Sequence, residues 1–202
     1  LSGQSRRAFT FGVTGLCVGL TLDACSSHSA APSPYSGDLR TVALAAALEN
    51  QAVSAYQAFD AALHAGKFGK AIPALSAFVK AATAHHVQHA ATWNAILRDA
   101  NKPAVTGTPL SGNAQVMSTI NGASDVNAIV SAVQGLEIQA AQTHTAAAGS
   151  LTRLAPALSA AATIAPVEAM HAAALGYLVS GRSAVASLLD TGGALSITTL
   201  TA

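Results

Sequence analysis

Apolar residues recur at helical spacing through four long Ala-rich stretches, and Gly, Pro and Asn punctuate the chain between them. The pattern predicts a first helix from about Asp38 to His64, broken by Gly66 and Gly69. Pro73, suited to a first helical turn, opens a second that runs to about Ala100, where Asn101-Lys102-Pro103 ends it. Ser124 or Asp125 N-caps a third reaching about Leu151. Pro156 starts a fourth, which ends around Leu189–Asp190 before Gly192-Gly193. Residues 103–123, rich in Pro, Gly and Asn, form a long crossover with one short helix near Gln115–Ile120. Helices joined short, long, short make an all-α four-helix bundle over residues 38–190, with one long crossover between its second and third helices. Pro166, inside the fourth pattern, either kinks that helix or marks its true start. The apolar, Thr-rich tail of residues 191–202 is assigned no element by this pattern.

Residues 1–24 read as an export signal. Ser5-Arg6-Arg7-Ala8-Phe9 has the twin-arginine form, and the apolar stretch Phe9–Leu22 falls short of the roughly 20 residues that span a membrane. Leu22-Asp23-Ala24-Cys25 resembles a bacterial lipobox, with Asp23 where a small or apolar residue is usual. Cys25 is therefore the expected lipidation site, and a plain signal peptide cut nearby is the alternative. Residues 25–37 form a Ser/Pro-rich tether. Together these features predict an exported protein of the cell envelope, anchored to the outer face of the cytoplasmic membrane. Both cysteines, Cys17 and Cys25, lie ahead of the bundle, which is left without disulfide or thiolate ligand. Twin-arginine export carries proteins already folded, which suits a cofactor inserted before export.

Charge narrows the partners. Without residues 1–24 the ten basic residues lose Arg6 and Arg7 and become eight, and the nine acidic ones lose Asp23 and become eight. No basic stripe remains for nucleic acid, which is excluded as a partner. Among the acidic residues are only three glutamates, Glu49, Glu137 and Glu168, each deep inside an Ala-rich helical pattern. A helix surface usually carries many glutamates. Here Ser, Thr, Gln and Asn take that role, and the histidines keep the glutamates company.

The arrangement repeats. Leu48-Glu49-Asn50-Gln51-Ala52 recurs as Leu136-Glu137-Ile138-Gln139-Ala140, and each is followed on the next helix by a pair at i, i+3, His86/His89 and Glu168/His171. Two similar hairpins packed about a pseudo-twofold axis bring the four motifs together. Residues at i and i+3 lie roughly 60° apart around a helix, so a carboxylate and an imidazole at that spacing can ligate one metal. The carboxylate di-metal plan of such bundles is Glu, Glu-x-x-His, Glu, Glu-x-x-His. This chain offers Glu49, His86-x-x-His89, Glu137 and Glu168-x-x-His171, with His85 as an alternative partner of His89 at i, i+4. His144, two turns beyond Glu137, is a polar core residue or an accessory ligand. His64 suits the C-terminus of its helix and His28 sits in the tether. Trp93, Phe59, Phe78 and Tyr177 are packing residues.

In "LENQAVSAY", "AHHVQHAATWNAIL", "LEIQAAQTH" and "IAPVEAMHAAAL" the chain resembles the ferritin-like superfamily, most closely exported bacterial ferritin-like domain proteins. The resemblance implies ligand positions for Glu49, His89, Glu137, Glu168 and His171, and Tyr56 matches an aromatic near the metals in some members. His86 stands where the family pattern has the second helix's glutamate. Four carboxylates would neutralise two divalent ions; three leave a net positive charge and a nitrogen-richer site. That opens a single ion, a zinc- or copper-like preference, or an unequal pair beside the iron or manganese that the family implies. The implied function is binding of one or two transition-metal ions, with metal oxidation or peroxide handling as the activity. The alternative is a metal-free bundle whose Glu/His pairs are structural, acting as an interaction module of the cell envelope. The expected partners are the metal ion, the membrane through the lipid anchor, and a second copy in a homodimer.

Overall fold

Five α-helices account for most of the residues that the computed structural model describes, which are 33–70, 72–180 and 191–202. They are α1 (Asp38–His64), α2 (Pro73–Asp99), α3 (Asn113–Gly122), α4 (Val126–Ser150) and α5 (Ala155–Ser180), with no strand among the described residues. The ends follow local chemistry. Asp125 is the N-cap of α4, its carboxylate accepting the Ala128 amide at 2.9 Å. Pro73 sits in the first turn of α2, where its missing N–H costs nothing. Gly66 and Gly69 take φ of 64° and 86° in the turn after α1, a left-handed region open to glycine. α5 runs through Pro166, so that residue is not the helix start. The expected continuation to Leu189–Asp190 lies outside the described residues, as do the twin-arginine segment, Cys25 and His28.

The long helices pair as α1 with α2 and α4 with α5, and the two hairpins meet along α1 against α4 and α2 against α5. Two apolar clusters fill the interior. One gathers Leu44, Leu48, Trp93, Leu97, Ala147 and Ile164; the other gathers Tyr56, Phe59, Val79, Val133, Leu136 and Leu175. On each long helix the change from one cluster to the other falls around a buried polar residue: Glu49, His86, Glu137 and Glu168. The polar centre is therefore a layer across the middle of the bundle, sealed above and below by apolar packing.

The crossover carries α3 and is pinned by side chains of α1 and α2. Asn94 accepts the Val105 amide at 2.7 Å and donates to the Val105 carbonyl at 3.0 Å, and Asn50 donates to the carbonyls of Val105 and Gly107. Val105 is buried, so the Asn94→Ala variant strands its N–H, and we expect a loss of about 1–2 kcal/mol in urea-induced unfolding. The tail, assigned no element above, returns to this crossover. Thr201 donates to the Pro109 carbonyl at 2.9 Å, Ser111 to that of Thr199 at 2.9 Å, and Leu200 pairs with Leu110 in an isolated bridge. Leu195 and Ile197 pack on the first cluster.

Candidate metal centre

Each of the four long helices sends one buried carboxylate or imidazole to the mid-bundle layer. Glu49 comes from α1, His86 from α2, Glu137 from α4 and Glu168 from α5, none more than 1% exposed. His89 and His171 complete the ring, one turn beyond His86 and Glu168. His86 lies between the carboxylates: its Nδ1 is 2.8 Å from Glu49 Oε2 and its Nε2 is 3.2 Å from Glu137 Oε1. His89 Nδ1 is 2.8 Å from Glu168 Oε1, and His171 Nδ1 is 3.2 Å from Glu168 Oε2 and 3.4 Å from Glu137 Oε1.

The pseudo-twofold echo extends one heptad further. Seven residues after Glu49, Tyr56 donates its hydroxyl proton to Glu137; seven residues after Glu137, His144 Nε2 lies 2.7 Å from Glu49 Oε1. Each hairpin thus holds the other's glutamate. Tyr56 also stacks on His86 with 5.3 Å between centroids, which fixes the plane of that imidazole. His144 is fully buried and stacks on Trp93 at 5.4 Å and 12°. It orients Glu49 from behind and lies outside that ring. His85 is exposed at the rim, its Nδ1 3.0 Å from His171 Nε2. His86, not His85, is the residue that faces the carboxylates. His64 is exposed and pairs with Asp60 at 3.3 Å, away from the centre.

Burial and proximity oppose each other in the electrostatics. Burial alone would raise the Glu49 carboxyl, but the imidazoles of His144, His86 and His89 hold it well below the usual value. Glu137 is likewise raised by burial and brought low by His86 and His171. Burial pushes the imidazoles down, yet Glu137 and Glu49 hold His86 well above its usual value. The carboxylates of Glu168 and Glu49 lift His89 to about 9, and those of Glu137 and Glu168 lift His171 to about 9. Burial and the nearby Glu137 raise the Tyr56 phenol well above 10. Burial and the neighbouring imidazoles lower His85. Three carboxylates therefore face three imidazoles that favour the protonated form, a balanced cluster when no metal is bound.

The donor chemistry also fits a metal. One atom each from Glu49, His86, His89 and Glu168 lies within 4.8 Å of the others, and the same holds for His86, Glu137, Glu168 and His171. Buried oxygen and imidazole donors that converge so closely suit a transition metal. Glu137 Oε2 is buried and finds no hydrogen-bond partner among the described residues, leaving a carboxylate oxygen free for an ion. Trp93, expected only as a packing residue, lies beside the centre against His144; its spacing of seven residues from His86, the same as Glu49 to Tyr56, places it there but does not announce the stack.

A family model described as a ferritin-like domain matches residues 65–181, more than half of the chain. The match takes in His86, His89, Glu137, Glu168 and His171 and stops short of Glu49 and Tyr56. No curated protein matches the chain, and no solved structure does.

Proposed function

Because the chain belongs to the ferritin-like domain family, we propose that it is a metal-binding protein that holds one or two transition-metal ions in its mid-bundle layer. The observation that carries this reading is the convergence of all three glutamates of the chain on His86, His89 and His171, inside a layer closed by apolar clusters. Glu49, Glu137 and Glu168 supply oxygen, and the three imidazoles supply nitrogen. Iron or manganese is the first expectation, and zinc or copper follows from the nitrogen-rich donor set. A bound redox metal would supply electron exchange, and metal oxidation or peroxide handling is the activity proposed. The chain's own part is to orient donors: Tyr56 and His144 hold Glu137 and Glu49, and His85 holds His171 by its outer nitrogen. Export by the twin-arginine route and lipidation at Cys25 complete the proposal and place the protein on the outer face of the cytoplasmic membrane. A homodimer would find apolar surface on α5, where Leu158 and Met170 are exposed and Tyr177, expected above to pack, faces out as well.

One observation favours a second reading. Each glutamate already has an imidazole partner, so the layer is self-compensated without an ion and could serve a structural bundle in the cell envelope. Elemental analysis separates the two. The full chain, purified without chelator, is expected to carry stoichiometric metal that disappears in a folded Glu137→Ala/Glu168→Ala variant. No metal in either protein, even after reloading with iron, manganese, zinc or copper, would assign the glutamates a structural role.

A further inference from the structure

The donor atoms of the centre fall into two halves, and only two side chains reach into both. One half collects Glu49 Oε2, His86 Nδ1, His89 Nδ1 and Glu168 Oε1. In it His86 is 2.8 Å from Glu49 and 3.7 Å from Glu168, while His89 is 3.6 Å from Glu49 and 2.8 Å from Glu168. The other half collects Glu137 Oε1, His86 Nε2, His171 Nδ1 and Glu168 Oε2. There Glu137 is 3.2 Å from His86 and 3.4 Å from His171, and His171 is 3.2 Å from Glu168. Each half holds two oxygens and two nitrogens, a complete set for a four-coordinate ion. Glu168 gives one oxygen to each half. His86 gives one nitrogen to each.

Charge selects among the ways to fill these halves. Two divalent ions bring four positive charges, and the three carboxylates return three. Glu49, His86, Glu137 and Glu168 are 1% exposed or less, so a leftover charge in this layer is expensive. A neutral histidine cannot supply the missing negative charge, nor can it offer two lone pairs. An imidazolate does both. The stacked Tyr56 ring keeps the imidazole plane fixed, so both nitrogens stay aimed at opposite halves.

We infer that His86 binds two metal ions at once, Nδ1 to one and Nε2 to the other, as a bridging imidazolate beside the Glu168 carboxylate bridge. This rests on the metal-binding reading above and specifies its ligand plan. To form the bridge, His86 starts from the doubly protonated ring of the metal-free cluster and gives both ring protons to solvent, and the two ring lone pairs go to the two ions. Nothing is oxidised or reduced.

Copper(II) titrated into the full chain tests this, with the electron paramagnetic resonance spin count as readout. The signal should rise through the first equivalent and fall several-fold on the second, as an imidazolate bridge couples the two spins. The His86→Gln variant should bind copper without that loss. His86→Glu supplies a ligand in the same place should His86→Gln not fold, and it should show a coupling different from that of the wild type. Two independent spins, saturation at one copper, or a coupling unchanged in either variant would overturn the bridge while leaving metal binding intact. Absence of binding by copper, iron, manganese and zinc alike would instead remove the metal-binding reading beneath it.

Discussion

His86→Leu is expected to lower the stability of the chelator-treated protein by about 3–5 kcal/mol, the cost of removing one partner from a buried charge network. His86 is fully buried and touches Glu49 and Glu137 at 2.8 and 3.2 Å, with Glu168 at 3.7 Å. No other side chain of the layer lies within 4 Å of all three glutamates through its ring nitrogens. Leucine takes up the volume but leaves those carboxylates short of a donor inside a layer closed by apolar packing. For a domain of this size the melting temperature should fall by roughly 10 °C, at about 2–4 °C per kcal/mol. The carboxylates will respond by taking protons, so the loss should shrink as the pH is lowered towards 5. Adding Glu137→Gln to His86→Leu should cost less than the two single losses summed, because the same interaction cannot be lost twice. Calorimetry on the four proteins measures both effects. A loss under about 1 kcal/mol for His86→Leu would mean that the glutamates do not depend on this imidazole, and the balanced-cluster account would fail.

Much of this centre was legible in the chain because its glutamates are so few. An ordinary surface would have hidden Glu49, Glu137 and Glu168 among many other glutamates; here most of the other polar helix positions are Ser, Thr, Gln or Asn, and none is Glu. The repeat of Leu-Glu-x-Gln-Ala pairs the hairpins from the sequence alone, and α1, α2 and α4 fall within a residue or two of their expected bounds. The short helix near Gln115–Ile120 is the longer α3, Asn113–Gly122. What stayed hidden depends on contacts between segments far apart in the chain. Trp93 and His144 reside on different helices, and nothing in either helix announces a stack with its neighbour. The tail has no helical period to read; its place comes from hydrogen bonds with Pro109 and Ser111 in the crossover. The choice between His85 and His86 also needed the fold, since adjacent residues on a helix point about 100° apart and either could face inward.

Without metal, the protein should be most stable between about pH 4.5 and 6.5 and should lose stability as the pH rises from 6.5 to about 9. His89 and His171 have folded pKa values of about 9 against the ordinary 6.5, and His86 also lies well above it. A raised imidazole contributes fully below its unfolded value, and that contribution fades as the pH climbs through the folded one. Glu49 and Glu137 behave oppositely: held below 4.5, they stabilise above that pH and lose their effect as it falls through their lowered values. The groups facing these imidazoles are Glu49 from α1, Glu137 from α4, Glu168 from α5 and His85 from α2, with His144 of α4 on Glu49 and the Tyr56 hydroxyl on Glu137. A rise from 6.5 to about 9 for one imidazole is worth at most about 3.4 kcal/mol, and the carboxylates shared between imidazoles keep the contributions from adding in full. A metal ion inverts the dependence, because it binds the deprotonated imidazoles and so gains affinity as the pH rises. Melting temperatures of chelated and zinc-loaded protein should therefore nearly coincide at pH 5.5 and separate widely by pH 9. A chelated curve that stays level from pH 6.5 to 9 would mean the imidazoles are already neutral in the metal-free fold. Parallel curves would mean that metal and protons do not compete, and that zinc sits somewhere other than the Glu/His layer.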